Sequence, residues 1–466
     1  MSFDWNSATV GDFVDLQRGN TYQSELLDKP GPVLLGLSSI ERDGGFRSDK
    51  LRTYGGDSPA KLLVYPGDMY VSLKDVTQSG DLLGSVARVP SFISVGRMTQ
   101  DTVKLIFKNE LIDRSYLYWI LRSPEYREYC RSRGMGTTNL SLSRDDFLSF
   151  PIPEPTAARL SIQRALHAIE SRIALNRDIA QTLEAIAQAA FKSWFVDFGP
   201  VKAKIAAQQE GRDPLRAAMS AICGKLESEL DTMPRKQFDQ LATTAALFPD
   251  EMEESQLGAI PRGWRACPMT DCIEVNPHRT VRKGTFANYL DMANVPTNSA
   301  RVQNVVIREF SSGSKFMNGD TLLARITPCL ENGKTAFVDF LGDGEIGWGS
   351  TEFIVLRPKN YLPTTFAYFL CRHPEFRTFA ISQMAGTSGR QRVPNDCFVG
   401  YKVAEPSEAV AGEFGRVSGS AFALIKALDV GAKTLVGIRD ALLPRLLSGK
   451  VAGNADTERA APAGAV

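Results

Sequence analysis

The sequence predicts an α+β protein built twice over, with two mixed α/β halves, each feeding one long helix, and the two helices paired as a coiled coil to complete a pseudo-two-fold internal repeat. Two observations carry this reading. Sequence motifs recur at an offset of about 250 residues, and a missed repeat of this kind would misassign the whole fold. Two long stretches also carry apolar residues at alternating steps of four and three, the spacing of a coiled-coil seam.

In chain order, the first globular half spans residues 1–156 and the first long helix 157–199. A helical connector covers 200–262, the second globular half 263–406 and the second long helix 407–450, and a disordered Ala/Gly/Pro-rich tail is expected over 451–466. Within the halves, Trp5 is followed by Gly67-Asp68 and an apolar strand, as Trp264 is followed by Gly319-Asp320 and another. The helix around Tyr116–Arg127, broken at Pro124, is echoed around Phe366–Arg377, broken at Pro374. Gly136-Thr-Thr and Gly386-Thr-Ser come next, and proline-marked strands at 150–155 and 401–406 lead into the long helices.

The first seam reads Ile162, Leu166, Ile169, Ile173, Asn176 and Leu183, continuing to Trp194. The second reads Phe414, Val417, Ala421, Leu424, Leu428, Gly431, Leu435, Ile438 and Leu442. Stripes this narrow suit pairing with each other better than burial in a large core, although two independent core helices remain the plain alternative. A rod of this length would reach roughly 50 Å at ~1.5 Å per residue. Asn176 in the seam would fix register at some cost in stability.

Composition narrows the function. The 466 residues are 43% hydrophobic and 9% aromatic, ordinary globular usage. Lys and Arg total 54 against 53 Asp and Glu, a net charge of +1, so any anion-binding surface must be local. The seven cysteines, Cys130, Cys223, Cys267, Cys272, Cys329, Cys371 and Cys397, form no CxxC pair, which argues against a disulfide framework and against a zinc finger. With no signal peptide or membrane-length apolar run, a cytoplasmic location without membrane contact is expected.

Catalytic signatures are missing. Gly342-Asp-Gly344-Glu-Ile-Gly347 fits GxGxxG but precedes a strand where the dinucleotide fingerprint needs a helix, so it reads as a hairpin turn. Gly333-Lys334-Thr335 lacks the first glycine of a phosphate-binding loop, because that position is Pro328. His167, His278 and His373 have no metal-ligand spacing, and there is no GxSxG elbow or base-methylation motif. No catalytic residue and no metal ligand is therefore assigned.

Local charge says more. Arg122, Arg127, Arg131, Arg133 and Arg144 cluster in the first half, and Arg372, Arg377, Arg390, Arg392 and Lys402 at the matching place in the second. Within each cluster lies a polar loop, Gly134-Met-Gly-Thr-Thr-Asn139 and Gly386-Thr-Ser-Gly-Arg-Gln-Arg392. Arginine forks suit guanine edges or phosphates and Asn or Gln amides suit adenine, so these loops are fit for groove contacts. The candidate DNA-binding set is Lys74, Arg131, Arg133, Thr137, Thr138 and Asn139 in the first half, and Arg325, Lys334, Thr387, Ser388, Arg390, Gln391 and Arg392 in the second. A solvated helix face beside a flexible turn explains any one of these arginines equally well; their recurrence in both halves favours binding.

The phrase Phe191-Lys-Ser-Trp-Phe-Val-Asp-Phe198, with Leu247-Phe-Pro-Asp250 and Leu257-Gly-Ala-Ile-Pro-Arg-Gly-Trp264, resembles the central region of type I restriction-modification specificity subunits, and the two-halved plan extends the resemblance over nearly the whole chain. It implies a non-catalytic reader of double-stranded DNA, with each half a target recognition domain for one part of a split, asymmetric site. The two helices would form an antiparallel coiled coil that docks two methylation subunits, with restriction and motor subunits joining them. No cofactor would be bound by this chain; S-adenosylmethionine would belong to the methylation subunit and ATP with Mg2+ to the restriction subunit. The alternatives are a single-chain restriction-modification enzyme, revealed by activity of the chain alone, and a coiled-coil scaffold without DNA binding, revealed by the absence of salt-sensitive DNA affinity.

Overall fold

A computed structural model describes residues 4–449 apart from Thr138, Gln303 and Ser388, so the tail expected over 451–466 lies outside the described residues. Two compact units emerge, one formed by the chain up to Leu175 with the stretch from Gly431 onward, the other by Asn176–Val430. The divisions fall inside the long helices rather than at their ends.

The first unit opens with a single helical turn, α1 (Val10–Phe13), running directly into β1 (Val14–Arg18). There follow β2 (Val33–Leu35), β3 (Leu63–Val64), β4 (Met69–Ser72), β5 (Lys74–Asp75), β6 (Val86–Arg88), β7 (Gly96–Met98) and β8 (Thr102–Phe107). One sheet has the order β1-β8-β4-β6, all antiparallel; a second has β2-β7-β3, with β2 and β7 parallel. The glycine-aspartate turn does what its sequence predicts. Gly67 has φ +87°, open to glycine at little cost, and Asp68 accepts the Tyr65 amide at 2.9 Å while pairing with Lys104 of β8 at 2.6 Å. Helices α2 (Arg114–Ile120) and α3 (Pro124–Arg133) are split by Ser123, whose hydroxyl accepts the Tyr126 amide, with Pro124 in the first turn where no amide is needed. After β9 (Leu140–Ser141) and α4 (Arg144–Leu148) comes the long helix α5 (Ala157–Phe195). Its N-terminal turns put Ile162 and Leu166 into a core with Phe13, Trp119, Tyr126 and Phe147.

The second unit holds the last turns of α5 and the connector, which folds as α6 (Gly199–Gln209), α7 (Pro214–Cys223), α8 (Arg235–Ala246) and the hairpin β10 (Met252–Ser255) with β11 (Gly258–Pro261). Then come β12 (Arg265–Pro268), α9 (Met269–Cys272), β13 (Ile273–Val275), β14 (Phe286–Leu290), β15 (Val306–Glu309), β16 (Ser314–Phe316), β17 (Thr321–Ala324), β18 (Thr335–Phe337), β19 (Gly347–Gly349) and β20 (Phe353–Pro358). Helices α10 (Phe366–Arg372) and α11 (Pro374–Ser382), strand β21 (Lys402–Glu405) and the long helix α12 (Glu408–Ser448) complete the chain. The GxGxxG stretch leads into β19 and not into a helix, as its surroundings predict. The sheets repeat the first unit: β13-β20-β17-β18 matches β1-β8-β4-β6, and β14-β19-β16, with β14 and β19 parallel, matches β2-β7-β3. Strand β15 is the addition, an extra edge on β14. Asp320 occupies the place of Asp68 but is fully buried, held by Arg279 at 2.8 Å and by Arg357, which stands in for Lys104, at 2.9 Å.

The two long helices pack together in each unit. In the first, Arg159 of α5 donates to the Leu447 carbonyl at 2.8 Å, and Leu446 of α12 is buried in the same core as Ile162 and Leu166. In the second, Asn176 donates to the Leu428 carbonyl at 3.4 Å while Phe191 and Trp194 meet the Phe414 ring at 5.8 and 5.9 Å, so the helices run antiparallel there. On α5 the sequence seam coincides with burial: Ile162, Leu166, Ile173 and Asn176 are buried, Ile169 and Leu183 half-buried. On α12 it needs correction. Leu428, Leu435 and Leu442 are half-buried, but Leu424 and Ile438 are 48% and 46% exposed. The buried positions are Val410, Ala411, Phe414, Ser418, Phe422, Ile425, Ala432 and Leu446. Small residues fill several of these places, with Ser418 satisfied there by Thr365 at 2.7 Å, so the alternation of four and three agrees with burial at Phe414 and is out of phase with it by Leu424.

Candidate nucleic-acid interface

Each unit places its polar loop at the tip of a small hairpin. In the first, Met135 and Ser141 exchange backbone hydrogen bonds of 2.9 and 2.8 Å, and β9 pairs with β5, which continues from the central strand β4. Gly136 has φ +123°, and a Cβ there would lie 2.1 Å from the Asn139 carbonyl oxygen, so only glycine closes this tip. Gln78 donates to the Thr137 carbonyl at 2.6 Å. The loop that carries Gln78 is fixed by fully buried Asp75, which accepts from the Thr77 amide and hydroxyl and the Leu82 amide at 2.7 to 2.8 Å. Thr137 and Asn139 project into solvent; Thr138 lies outside the described residues.

The second unit repeats the device. Ala385 and Arg392 exchange backbone hydrogen bonds of 3.0 and 2.9 Å, Gly386 has φ +126°, and Ile326, just beyond β17, bridges to Arg392. Thr327 clasps Gln391 through its backbone amide, which donates to the Gln391 carbonyl at 3.1 Å, and through its hydroxyl, which accepts the Gln391 amide at 3.2 Å. Thr387 and Arg390 are exposed, Gln391 is half-buried, and Ser388 lies outside the described residues. A cleft beside the hairpin is lined by Asn276, His278, Arg279, Lys315, Arg325 and Asn395.

The cations around these tips are not equally available. Arg392 is locked on Glu352 by Nε at 2.9 and 3.0 Å and by a terminal nitrogen at 2.7 Å. That fork draws the Glu352 carboxyl below its ordinary value, burial opposing, and raises the guanidinium of Arg392. Arg325 donates to the Val393 carbonyl at 2.6 Å and Lys334 to the Met292 carbonyl at 2.5 Å, so both brace backbone. Lys74, on β5, is half exposed and 3.4 Å from Asp101. Arg131 pairs with Asp43 at 2.6 Å; Arg133 lies 3.6 Å from Asp146 and 3.7 Å over the Tyr129 ring.

Two arginines counted in the sequence cluster prove to be structural. Arg127 is 2% exposed and donates to the carbonyls of Leu83, Gly80 and Asp81. Arg122, also buried, binds Glu170 of α5. Their counterpart Arg372 donates to the Thr297 and Gly333 carbonyls. Local arginine density therefore overstated the cationic surface.

The structure thus gathers Lys74, Thr137 and Asn139 at one hairpin, and Arg325, Thr387, Arg390, Gln391 and Arg392 at the other. Sequence reasoning missed Gln78, Asp75 and Glu352, which set the tips. Glu352 lies forty residues before its partner, and no local pattern links the two. What the tips offer is a set of exposed amide, hydroxyl and guanidinium groups held on tight backbone, suited to reading hydrogen-bonding edges and not to making or breaking bonds.

The fold is that of a duplicated α+β protein with one polar hairpin in each unit. No family model matches the chain. It is 27% identical over 358 residues to the type I restriction enzyme HindI specificity subunit of Haemophilus influenzae, covering 72% of this chain and 77% of that protein. It is 32% identical over 162 residues to the type I restriction enzyme EcoAI specificity subunit of Escherichia coli, 32% of this chain and 26% of that one. Among solved structures, the type I S subunit from M. genitalium aligns over 96% of this chain and 98% of its own with 13% identity and a TM-score of 0.47. The HsdS subunit from Thermoanaerobacter tengcongensis aligns over 95% and 96% with 14% identity and a TM-score of 0.30. The chain is thus similar to proteins named as type I restriction enzyme specificity subunits. Among the described residues, no helix is long and apolar enough to cross a membrane.

Proposed function

We propose that this chain is the DNA sequence-specificity subunit of a type I restriction-modification complex, acting in the cytoplasm. Each globular half, residues 1–156 and 263–406, serves as a target recognition domain for one part of a bipartite, asymmetric site. The observation that carries this reading is the repetition of one hairpin device with different contents. The same strand extension and the same positive-φ glycine present Thr137 and Asn139 in the first unit but Arg390 and Gln391 in the second. Equal scaffolds with unequal side chains suit unequal half-sites. Phosphate contacts from Lys74 and neighbouring backbone set register, and the tip side chains test base edges.

The chemistry lies in partners, a methylation subunit using S-adenosylmethionine on a flipped adenine and a restriction subunit using ATP and Mg2+. The long helices leave Leu175 and Ile438 exposed in the first unit and Ile186, Leu424 and Val430 in the second, apolar surface that supports docking of two methylation subunits. Co-expression with the methylation subunit encoded beside it, followed by mapping of modified adenines in host DNA, tests the proposal. A split, asymmetric motif that vanishes without this chain is the expected result. A motif that persists in its absence overturns the assignment.

A further inference from the structure

The two units differ in one buried joint, between the helical turn that precedes the first strand of the main sheet and the segment that leads into the long helix. In the first unit, Ala8, Phe13 and Glu154 occupy this joint: Phe13 ends α1, fully buried with its ring 5.5 Å from Trp5, and Glu154 is exposed. The second unit has Cys267, Cys272 and Glu405 at the same places, since α9 ends immediately before β13 as α1 does before β1, and the pairing of Pro268 with Lys402 matches that of Thr9 with Pro151. Here the thiol sulfurs approach to 3.3 Å, and a carboxylate oxygen of Glu405 joins them in a triangle whose members all lie within 4.8 Å. All three residues are buried. Arg265 grips one oxygen of the carboxylate, Oε2, from Nε at 2.8 Å and a terminal nitrogen at 2.6 Å.

We propose that Cys267, Cys272 and Glu405 bind one zinc ion, which ties β12, α9 and β21 together at the base of the second unit. The spacing of four residues between the cysteines falls within the range seen in zinc ligand pairs, and two sulfurs with a carboxylate form a donor set that zinc accepts. Tetrahedral coordination at about 2.3 Å per Zn–S bond sets the sulfurs roughly 3.8 Å apart, so they need part by only about half an ångström. A disulfide would require them to close by more than about 1 Å, to ~2.05 Å. Charge also closes. Coordination releases one proton from each thiol; two thiolates and one carboxylate then face the dication, and the Arg265 guanidinium cancels the remaining negative charge. Water takes the fourth position, since the three protein ligands leave one open.

The test is the metal content of the full-length chain, purified without a histidine tag, dialysed with zinc and washed free of loosely held ion. About one zinc per chain is expected in the wild type and in Cys329→Ser, with none in Cys267→Ser or Cys272→Ser. Glu405→Gln, which keeps both thiols, should bind about tenfold or more weakly. Should the cysteine variants fail to fold, cobalt substitution of the wild-type chain decides alone, because two thiolate ligands give an intense sulfur-to-cobalt charge-transfer band. Absence of that band, zinc retained equally by all variants, or a Cys267–Cys272 disulfide in the intact chain would overturn the proposal.

Discussion

Arg392 lies as a fork on the Glu352 carboxylate, both oxygens engaged at 2.7 to 3.0 Å, at the closing pair of the second hairpin. A guanidinium so held shapes the loop, and the neighbouring Arg390, exposed at the tip, is the one presented outward. Arg390→Ala should therefore cost about 1–3 kcal/mol of discrimination at one base pair, with the other part of the site unaffected. Glu352→Gln should blur the whole of that part by loosening the hairpin. Competition binding against single-base variants of the target separates the two patterns; identical effects of both substitutions would contradict the assignment of roles.

Gly136→Ala places a Cβ 2.1 Å from the Asn139 carbonyl oxygen at a φ that side chains rarely adopt. The strain, of order 1–3 kcal/mol, falls on an exposed tip. Modification mapped in vivo should lose the dependence on one part of the target only, and thermal unfolding should shift by a few degrees at most.

The corrected seam predicts a contrast on α12. Phe422, 5% exposed and ringed by Phe337, Tyr368 and Phe369 at 5.0 to 5.6 Å, should cost about 3–5 kcal/mol when replaced by Ala. Leu424→Ala, at a position 48% exposed, should cost less than about 1 kcal/mol. Denaturant unfolding of the chain measures both.

Why the seam was legible on α5 but not on α12 is a matter of side-chain size. On α5 the buried stripe is marked by large residues, Ile162, Leu166 and Ile173, so apolar periodicity and burial agree. On α12 the stripe mixes Phe414, Phe422, Ile425 and Leu446 with Ala411, Ser418 and Ala432, which carry little apolar signal, and Leu424 and Ile438 add large apolar residues on the exposed side. The repeat was legible because turns and helix breaks depend on local residue types such as Gly67, Pro124, Gly319 and Pro374. The site was half legible. Loop composition located both hairpins, but whether an arginine is free depends on groups far along the chain, as with Arg127 and the Leu83 carbonyl or Arg392 and Glu352.

Glu184 on α5 accepts the Tyr368 hydroxyl and the Ala300 amide, and burial pushes its carboxyl above the ordinary value despite those bonds. In the unfolded chain it ionises near 4.3. Between that value and the raised folded one, the folded state keeps a proton the unfolded state has lost, so stability falls as pH rises through that window and stays lower above it. Glu184→Gln should unfold at a higher temperature than the wild type near pH 7, with the difference shrinking toward pH 4. Melting curves across this range check the sign, and a variant less stable at neutral pH would reverse it.

The inward use of arginine has a thermodynamic consequence. Duplex DNA is surrounded by condensed cations, and each phosphate neutralised by a protein side chain frees about 0.9 of them to solution. Arg122 and Arg127 in one unit, and Arg279, Arg357 and Arg372 in the other, already face carboxylates or carbonyls and have nothing to exchange. Under the proposed function only the cations left outward, Arg390 among them, can displace ions from the duplex, so the salt dependence of its DNA affinity should count those residues and not the arginine total of the sequence.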